Sequence, residues 1–209
     1  PRMAWRAIQA AMPSNAIISS DIGNNCAIGN AYPTFEEGRK YLAPGLFGPC
    51  GYGFPSICGA KVGRPDVPVI GFAGDGAFGI SMNEMVSISR DDWPAVTMVI
   101  FRNYQWGAEK RNTTLWFDDN FVGTELATEV SYAGIAKACG VEGIAVSSMD
   151  ELTAALDTAV KAQMKEGKTT FIEVLLNQEL GEPFRRDAMK KPVSVAGISA
   201  SDMRRQPGA

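Results

Sequence analysis

The 209-residue sequence contains no histidine. That absence removes the usual general base near neutral pH, any Ser-His-Asp triad and every metal site built on imidazole. Cysteine is scarce: Cys26, Cys50, Cys58 and Cys139 form no C-x-x-C pair, which argues against zinc ribbons and dithiol redox motifs. Reduced thiols in a cytoplasmic protein are the expectation. No apolar run approaches a membrane span, and the N-terminal stretch has no signal-peptide pattern. A basic excess is also missing. The net charge is −3 and the pI near 5.1, the reverse of a nucleic-acid binder. What remains is 45% hydrophobic and 21% charged, ordinary for a globular domain with an ample core. The sequence starts at Pro1 rather than a methionine, as a fragment of something longer would.

Apolar runs alternate with helical patterns. Residues 15–20, 67–73, 95–102, 143–146 and 169–176 read as buried strands, and residues 51–62, 80–90, 131–139 and 149–167 as helices. The last helix carries boundary signals at both ends, Ser148-Met149-Asp150-Glu151 and Glu166-Gly167. This alternation predicts an α/β fold of three layers, a mainly parallel sheet with helices on both faces. Residues 1–182 are expected to form one domain and 183–209 a C-terminal tail. Residues 112–128, with Trp116, Phe117 and Phe121, read as a long aromatic connector. Such connectors serve as lids or tuck into subunit interfaces, and the sequence leaves both open.

Two strand ends carry the chemistry. Gly74-Asp75-Gly76 ends one strand, and Arg102-Asn103 ends the next after 25 intervening residues. In a strand-helix-strand unit the two strand ends lie side by side, so Asp75 and Asn103 can face one site. One carboxylate, one amide oxygen and a main-chain carbonyl at Gln105 make a hard-oxygen set suited to magnesium, with phosphate oxygens completing an octahedron. Gly74-Asp75-Gly76-Ala77-Phe78-Gly79 also fits the G-x-G-x-x-G dinucleotide fingerprint. An acid between its first two glycines would repel pyrophosphate without a metal, and no ribose-binding acid follows at a strand end. A plain strand-to-helix turn capped by Asp75 is the bland alternative.

Two further segments belong to this picture. Asp21-Ile22-Gly23-Asn24-Asn25 follows the first strand, where Gly23 permits close backbone approach and paired amides can donate to phosphate at a helix N-terminus. A turn with asparagine capping would use the same residues. The run from Gly45 through Gly48, Cys50, Gly51 and Gly53 precedes a helix, so backbone there presses on a ligand or a neighbouring helix.

In order and spacing these segments resemble the C-terminal, diphosphate-binding domain of the acetolactate-synthase-like thiamine-diphosphate enzymes. That signature is Gly-Asp-Gly followed, after a segment of this length, by an Asn-Asn pair. Here Arg102 replaces the first Asn, while the metal-binding second Asn is present as Asn103. The resemblance covers about residues 1 to 180. It implies thiamine diphosphate and Mg2+ as cofactors, with Asp75, Asn103 and Gln105 on the metal. Gly23, Asn24, Asn25, Gly48, Gly74, Gly76, Ala77 and Asn103 would line the cofactor. Cys50 would stand where the family props the bent cofactor on a large apolar residue.

Within that superfamily, Gln105-Trp106-Gly107-Ala108-Glu109-Lys110 and Glu179-Leu180-Gly181-Glu182-Pro183-Phe184-Arg185-Arg186 are similar to the sulfoacetaldehyde acetyltransferase family. That family converts sulfoacetaldehyde and phosphate to acetyl phosphate and sulfite in taurine breakdown. The resemblance implies that Lys110, Arg185 and Arg186 hold the sulfonate or phosphate anion, and that Glu109 relays a proton. A 2-oxo-acid carboligase or decarboxylase, such as acetolactate synthase or sulfopyruvate decarboxylase, is the alternative; a non-catalytic assembly module is another. The superfamily's cofactor-activating glutamate lies in a separate pyrimidine-binding domain, usually of a neighbouring subunit, and nothing in this sequence matches that domain. The expected partners are therefore that domain and a second copy, in a homodimer or homotetramer, and the chain alone is expected to be inactive.

Overall fold

A computed structural model of the protein describes residues 2–35 and 40–178. Six parallel strands form one sheet in the order β2-β1-β3-β4-β6-β5. They are β1 (Ile17–Ser20), β2 (Tyr41–Leu42), β3 (Val69–Gly74), β4 (Thr97–Arg102), β5 (Glu142–Val146) and β6 (Thr170–Leu175). Eight described helices surround the sheet: α1 (Arg2–Ala11), α2 (Asn24–Ala31), α3 (Gly53–Gly63), α4 (Asp75–Ser81), α5 (Glu84–Ile88), α6 (Gly107–Trp116), α7 (Tyr132–Ala138) and α8 (Met149–Glu166). The three-layer expectation holds.

The layers follow from the two-residue repeat of the strands. In β4 every residue is buried, and alternate side chains feed opposite cores. Val99 and Phe101 join Trp5, Ile8, Phe72, Leu152, Leu156 and Ile172 on one face, under α1 and α8. Met98 and Ile100 join Phe54, Ile57, Phe78, Met85, Tyr132 and Phe171 on the other, under α3, α4, α5 and α7. Each fully buried large side chain contributes about 1.5–3 kcal/mol. Helix α8 is fixed at both ends as its sequence predicts. Ser148 and Glu151 form a reciprocal capping box, and Gly167 closes the helix in the left-handed region at φ 65°.

Some elements differ from expectation. The single helix over 80–90 is two short ones, because α4 begins at Asp75 itself and ends at Ser81. Helix α1 has a buried stripe of Ala4, Trp5 and Ile8, a helical period the sequence carries. The connector over 112–128 is helical for its first five residues, as the end of α6. The expected domain boundary at 182 lies outside the described residues.

All six strands run parallel, so their C-terminal ends share one edge of the sheet. The chain runs from β1 outward to β2 and then returns to the opposite side of β1 as β3. Such a reversal leaves a crevice at the strand ends. Asp21, Asp75 and Asn103 each follow directly or within one residue of a strand that ends there.

Candidate functional site

Asp21 is fully buried just beyond β1. Its Oδ1 accepts from the main-chain N–H of Ile22 at 2.8 Å and of Gly51 at 3.1 Å, and its Oδ2 accepts from Gly53 at 2.7 Å. Burial raises its pKa, while those N–H donors pull it down. Asp21 thereby fastens the glycine-rich loop to the first strand. Gly53 has no room for a side chain, since a Cβ would lie 3.0 Å from Asp21 and from the Phe72 carbonyl. Cys50, at the exposed end of this loop, is a free thiol. Desolvation and the charges of Asp21 and Glu109 raise its pKa, so it stays protonated near neutrality.

Gly23 sits at φ 108° before α2, a conformation open to glycine. The helix then presents Asn24 and the buried Asn25. Asn25 Nδ2 lies 3.0 Å from where a Cβ on Gly74 would be, so Gly74 is needed to admit that amide. Gly76 is covered by the Trp106 ring, 2.8 Å from its ideal Cβ. Ala77 is buried in the same turn. Gly48, at φ 63°, packs on the Ile22 side chain.

Asp75 opens α4 and is 1% exposed. Its Oδ2 is committed: it accepts from the Tyr104 N–H at 2.6 Å and from Arg102 Nη1 at 3.0 Å. Burial pushes its pKa up against these two partners. Its Oδ1 accepts locally from Gly76 N–H at 3.0 Å and faces Asn103. The chain turns there through Tyr104, at φ 60°. That turn brings the Asn103 side chain and the Gln105 carbonyl to the same point.

Asn103 supplies the sharpest observation. Its side-chain oxygen lies 3.0 Å from Asp75 Oδ1 and 3.1 Å from the Gln105 main-chain oxygen, while its amide nitrogen faces only donors. Rotating the amide would satisfy both sides by hydrogen bonding. Either orientation brings a carboxylate, a side-chain amide and a main-chain carbonyl to one point, a hard-oxygen set that suits a divalent cation. Adjacent ligands of an octahedral magnesium ion at about 2.1 Å lie roughly 3.0 Å apart, the separation seen. On the nitrogen side, Asn103 Nδ2 and Asn24 Nδ2 fall 3.0 and 3.3 Å from the ideal Cβ of Gly107, with Gln105 Nε2 at 3.9 Å. Those converging amides, at the first turn of α6, suit an anion. The residues present therefore fit a magnesium ion beside a diphosphate. Asn24 Oδ1 and Gln105 Oε1 are buried without a partner, further signs of a polar site that protein atoms alone do not satisfy. Among the described residues no group of three or more cysteines or acids could hold a metal.

The structure brings Asp75, Asn103, Gln105, Gly74, Gly76, Asn24 and Asn25 together. Glu109 is exposed on the first turn of α6. Lys110 is paired with Glu125 and lies over the Phe121 ring at 5.1 Å from its centroid, so it is engaged rather than offered to an anion. Arg185 and Arg186 lie outside the described residues. The sequence reading missed the roles of Asp21, Arg102 and Glu173. Arg102 was visible as the departure from an Asn-Asn pair; Glu173 was hidden inside an apolar strand.

The family model described as "Thiamine pyrophosphate enzyme, C-terminal TPP binding domain" matches residues 21–174. The chain belongs to this family. Relatives include the sulfoacetaldehyde acetyltransferase of Roseovarius nubinhibens, 76% identical over 99% of this chain and 34% of its own length. The protein of that name in Rhodobacter capsulatus is 72% identical over 99% of the chain and 35% of its own. Acetolactate synthase 1 of Nicotiana tabacum is more distant, 30% identical over 75% of the chain and 24% of that protein. The chain thus spans about a third of the relatives it matches most strongly. In fold it is similar to the thiamine diphosphate-dependent 4-hydroxybenzoylformate decarboxylase of Rhodococcus jostii RHA1, with a TM-score of 0.75 and 24% identity over 86% of this chain and 33% of that one.

Proposed function

We propose that this chain anchors the diphosphate end of thiamine diphosphate through Mg2+, within a protein that takes sulfoacetaldehyde and phosphate to acetyl phosphate and sulfite. The observation that carries the cofactor reading is the convergence of Asp75 Oδ1, the Asn103 side-chain amide and the Gln105 carbonyl, 3.0 and 3.1 Å apart about the amide, at the C-terminal ends of β3 and β4. Asp75 Oδ1, Asn103 Oδ1 and the Gln105 carbonyl hold the metal. The amides of Asn24 and Asn25 donate to the diphosphate, and Gly23, Gly48, Gly74 and Gly76 keep side chains out of its way. Ala77 backs the Asp75 turn, and the neutral Cys50 thiol stands beneath the cofactor. When bound, thiamine diphosphate supplies a carbon nucleophile and an electron sink. Glu109 holds and returns a proton near the reacting carbonyl. Lys110, on release from Glu125, and Arg185 and Arg186 steady the sulfonate and phosphate through charge-assisted bonds. The relatives named sulfoacetaldehyde acetyltransferase, at 72 to 76% identity, support the substrate pair. The partner is a pyrimidine-binding domain elsewhere in the protein or in a neighbouring subunit of a cytoplasmic homodimer or homotetramer.

The test uses the full-length protein. Sulfite release from sulfoacetaldehyde should require phosphate, Mg2+ and thiamine diphosphate together. Asp75→Ala should weaken Mg2+-dependent cofactor binding, read by calorimetry, by more than a hundredfold. Unchanged affinity would sink the metal assignment. Turnover of pyruvate with none of sulfoacetaldehyde would sink the substrate assignment and leave the metal standing.

A further inference from the structure

Arg102 is 1% exposed at the end of β4 and touches both Asp75 and Tyr104. Its Nη1 donates to Asp75 Oδ2 at 3.0 Å. Its Nη2 donates to the carbonyls of Ala127 and, at 3.1 Å, Val130. Its Nε lies 3.6 Å from Glu173 Oε1. The guanidinium sits 4.3 Å from the Tyr104 ring centroid and 5.2 Å from that of Tyr132. Glu173 in turn accepts from Ser131 Oγ at 2.9 Å and the Ala133 N–H at 3.0 Å, and Tyr132 donates its hydroxyl to the Asp75 carbonyl at 3.0 Å.

A cation buried beside a cation-binding carboxylate is a liability on charge alone: it repels the metal. One feature offsets this. Glu173 balances the charge of Arg102, so the pair adds none to the site. The remaining effect is geometric. Arg102 and the Tyr104 N–H occupy Asp75 Oδ2, which leaves Oδ1 as the one oxygen turned to Asn103. The same guanidinium packs on Tyr104, whose left-handed φ is costly outside glycine.

We infer that Arg102 is a positioning residue that holds Asp75 one-oxygen-forward and the Tyr104 turn in place, so that the three metal-facing oxygens stand assembled before the ion arrives. The inference rests on the magnesium reading above. Preassembly favours a small, rigid octahedral ion, whereas a carboxylate free to offer both oxygens suits calcium. Arg102 therefore tunes the site toward Mg2+ over Ca2+.

The sign of the effect separates this from simple repulsion. The apo form of the full-length protein, with thiamine diphosphate saturating, is titrated with Mg2+ and separately with Ca2+, and binding is followed by tryptophan emission, Trp106 being a local reporter. Wild type, Arg102→Met, Arg102→Lys and the charge-balanced pair Arg102→Met with Glu173→Gln are compared, with folding checked by circular dichroism. The expectation is a half-saturating Mg2+ concentration at least tenfold higher in both Met variants, with Lys between. The ratio of half-saturating Ca2+ to Mg2+ should fall at least threefold, a change that general loosening would not produce. Should Arg102→Met fail to fold, the charge-balanced pair and Arg102→Lys decide by the same criteria. Mg2+ binding that is unchanged or tighter in a folded variant, or an unaltered ratio, overturns the inference. A wild type indifferent to Mg2+ overturns the metal reading itself.

Discussion

Gly76→Ala offers the most direct probe of how the site is built. An added Cβ would lie 2.8 Å from Cδ2 and Cε3 of Trp106 and 3.0 Å from Cε2. Carbon atoms rest at about 3.5–4.0 Å, so the ring must retreat by roughly 0.7 Å or more. Trp106 is not free to swing away cheaply. Its main-chain N–H is tied to the Thr124 carbonyl at 2.8 Å, and Gln105 before it bridges to Glu125. A retreat therefore moves the Gln105 carbonyl on one side and the start of α6 on the other, both in the cofactor site. Overpacking of this kind costs about 1–3 kcal/mol. If the strain falls on the bound geometry, cofactor affinity drops roughly 5- to 140-fold, since 1.4 kcal/mol is a factor of ten. Calorimetric titration of the full-length protein with thiamine diphosphate at saturating Mg2+ reads that loss. Trp106→Leu removes the ring atoms in the way, so Gly76→Ala combined with Trp106→Leu should bind better than the sum of the two single losses predicts. Gly76→Ala binding within twofold of wild type would refute the reasoning, as would strictly additive losses in the double variant.

Two further outcomes concern stability. At Gly143→Ala the new Cβ would fall 2.1 Å from the Ala133 carbonyl oxygen; a backbone neighbour cannot rotate aside, so denaturant unfolding should show a loss at or above the upper end of about 1–3 kcal/mol. Glu151 has its pKa lowered from 4.5 chiefly by the Ser147 and Ser148 N–H groups, so its contribution is present above pH 4.5 and is lost as pH falls through the lower folded value. Stability measured against pH should accordingly show the wild type's margin over Glu151→Gln shrinking below pH 4.5.

The strands that build the site were legible because their burial is two-sided. Residues 97–102 and 69–74 are apolar almost throughout, and only a central parallel strand needs that. Asp75 and Asn103 were legible because the strand ends place them together. Helix α6 was not. Its residues Gly107-Ala108-Glu109-Lys110-Arg111-Asn112 carry no apolar stripe, so nothing in the period marks a helix. Strand β2 is two residues long, too short to hold a pattern. Glu173 looked like an interruption in an apolar run. Its meaning appears only with Arg102 beside it, since burial of an acid requires a partner that lies 71 positions away in the chain. The pairing of Lys110 was equally hidden, because its partner Glu125 sits on a segment that local sequence does not bring near.

The strand order has a consequence for how the chain is made. Strand β6, the last in sequence, is inserted between β4 and β5. Among the described strands β5 pairs with β6 alone. As synthesis proceeds from the N-terminus, β1, β2, β3 and β4 can assemble while β5 has no neighbour and β4 keeps an open edge. Arg102 then lacks Glu173, its partner on β6. Closure of the sheet and pairing of Arg102 with Glu173 are thus one late event, completed when residues 170–175 slot into place. Before it, one edge of β4 and the whole of β5 are unpaired, the kind of open strand edge that invites wrong pairing.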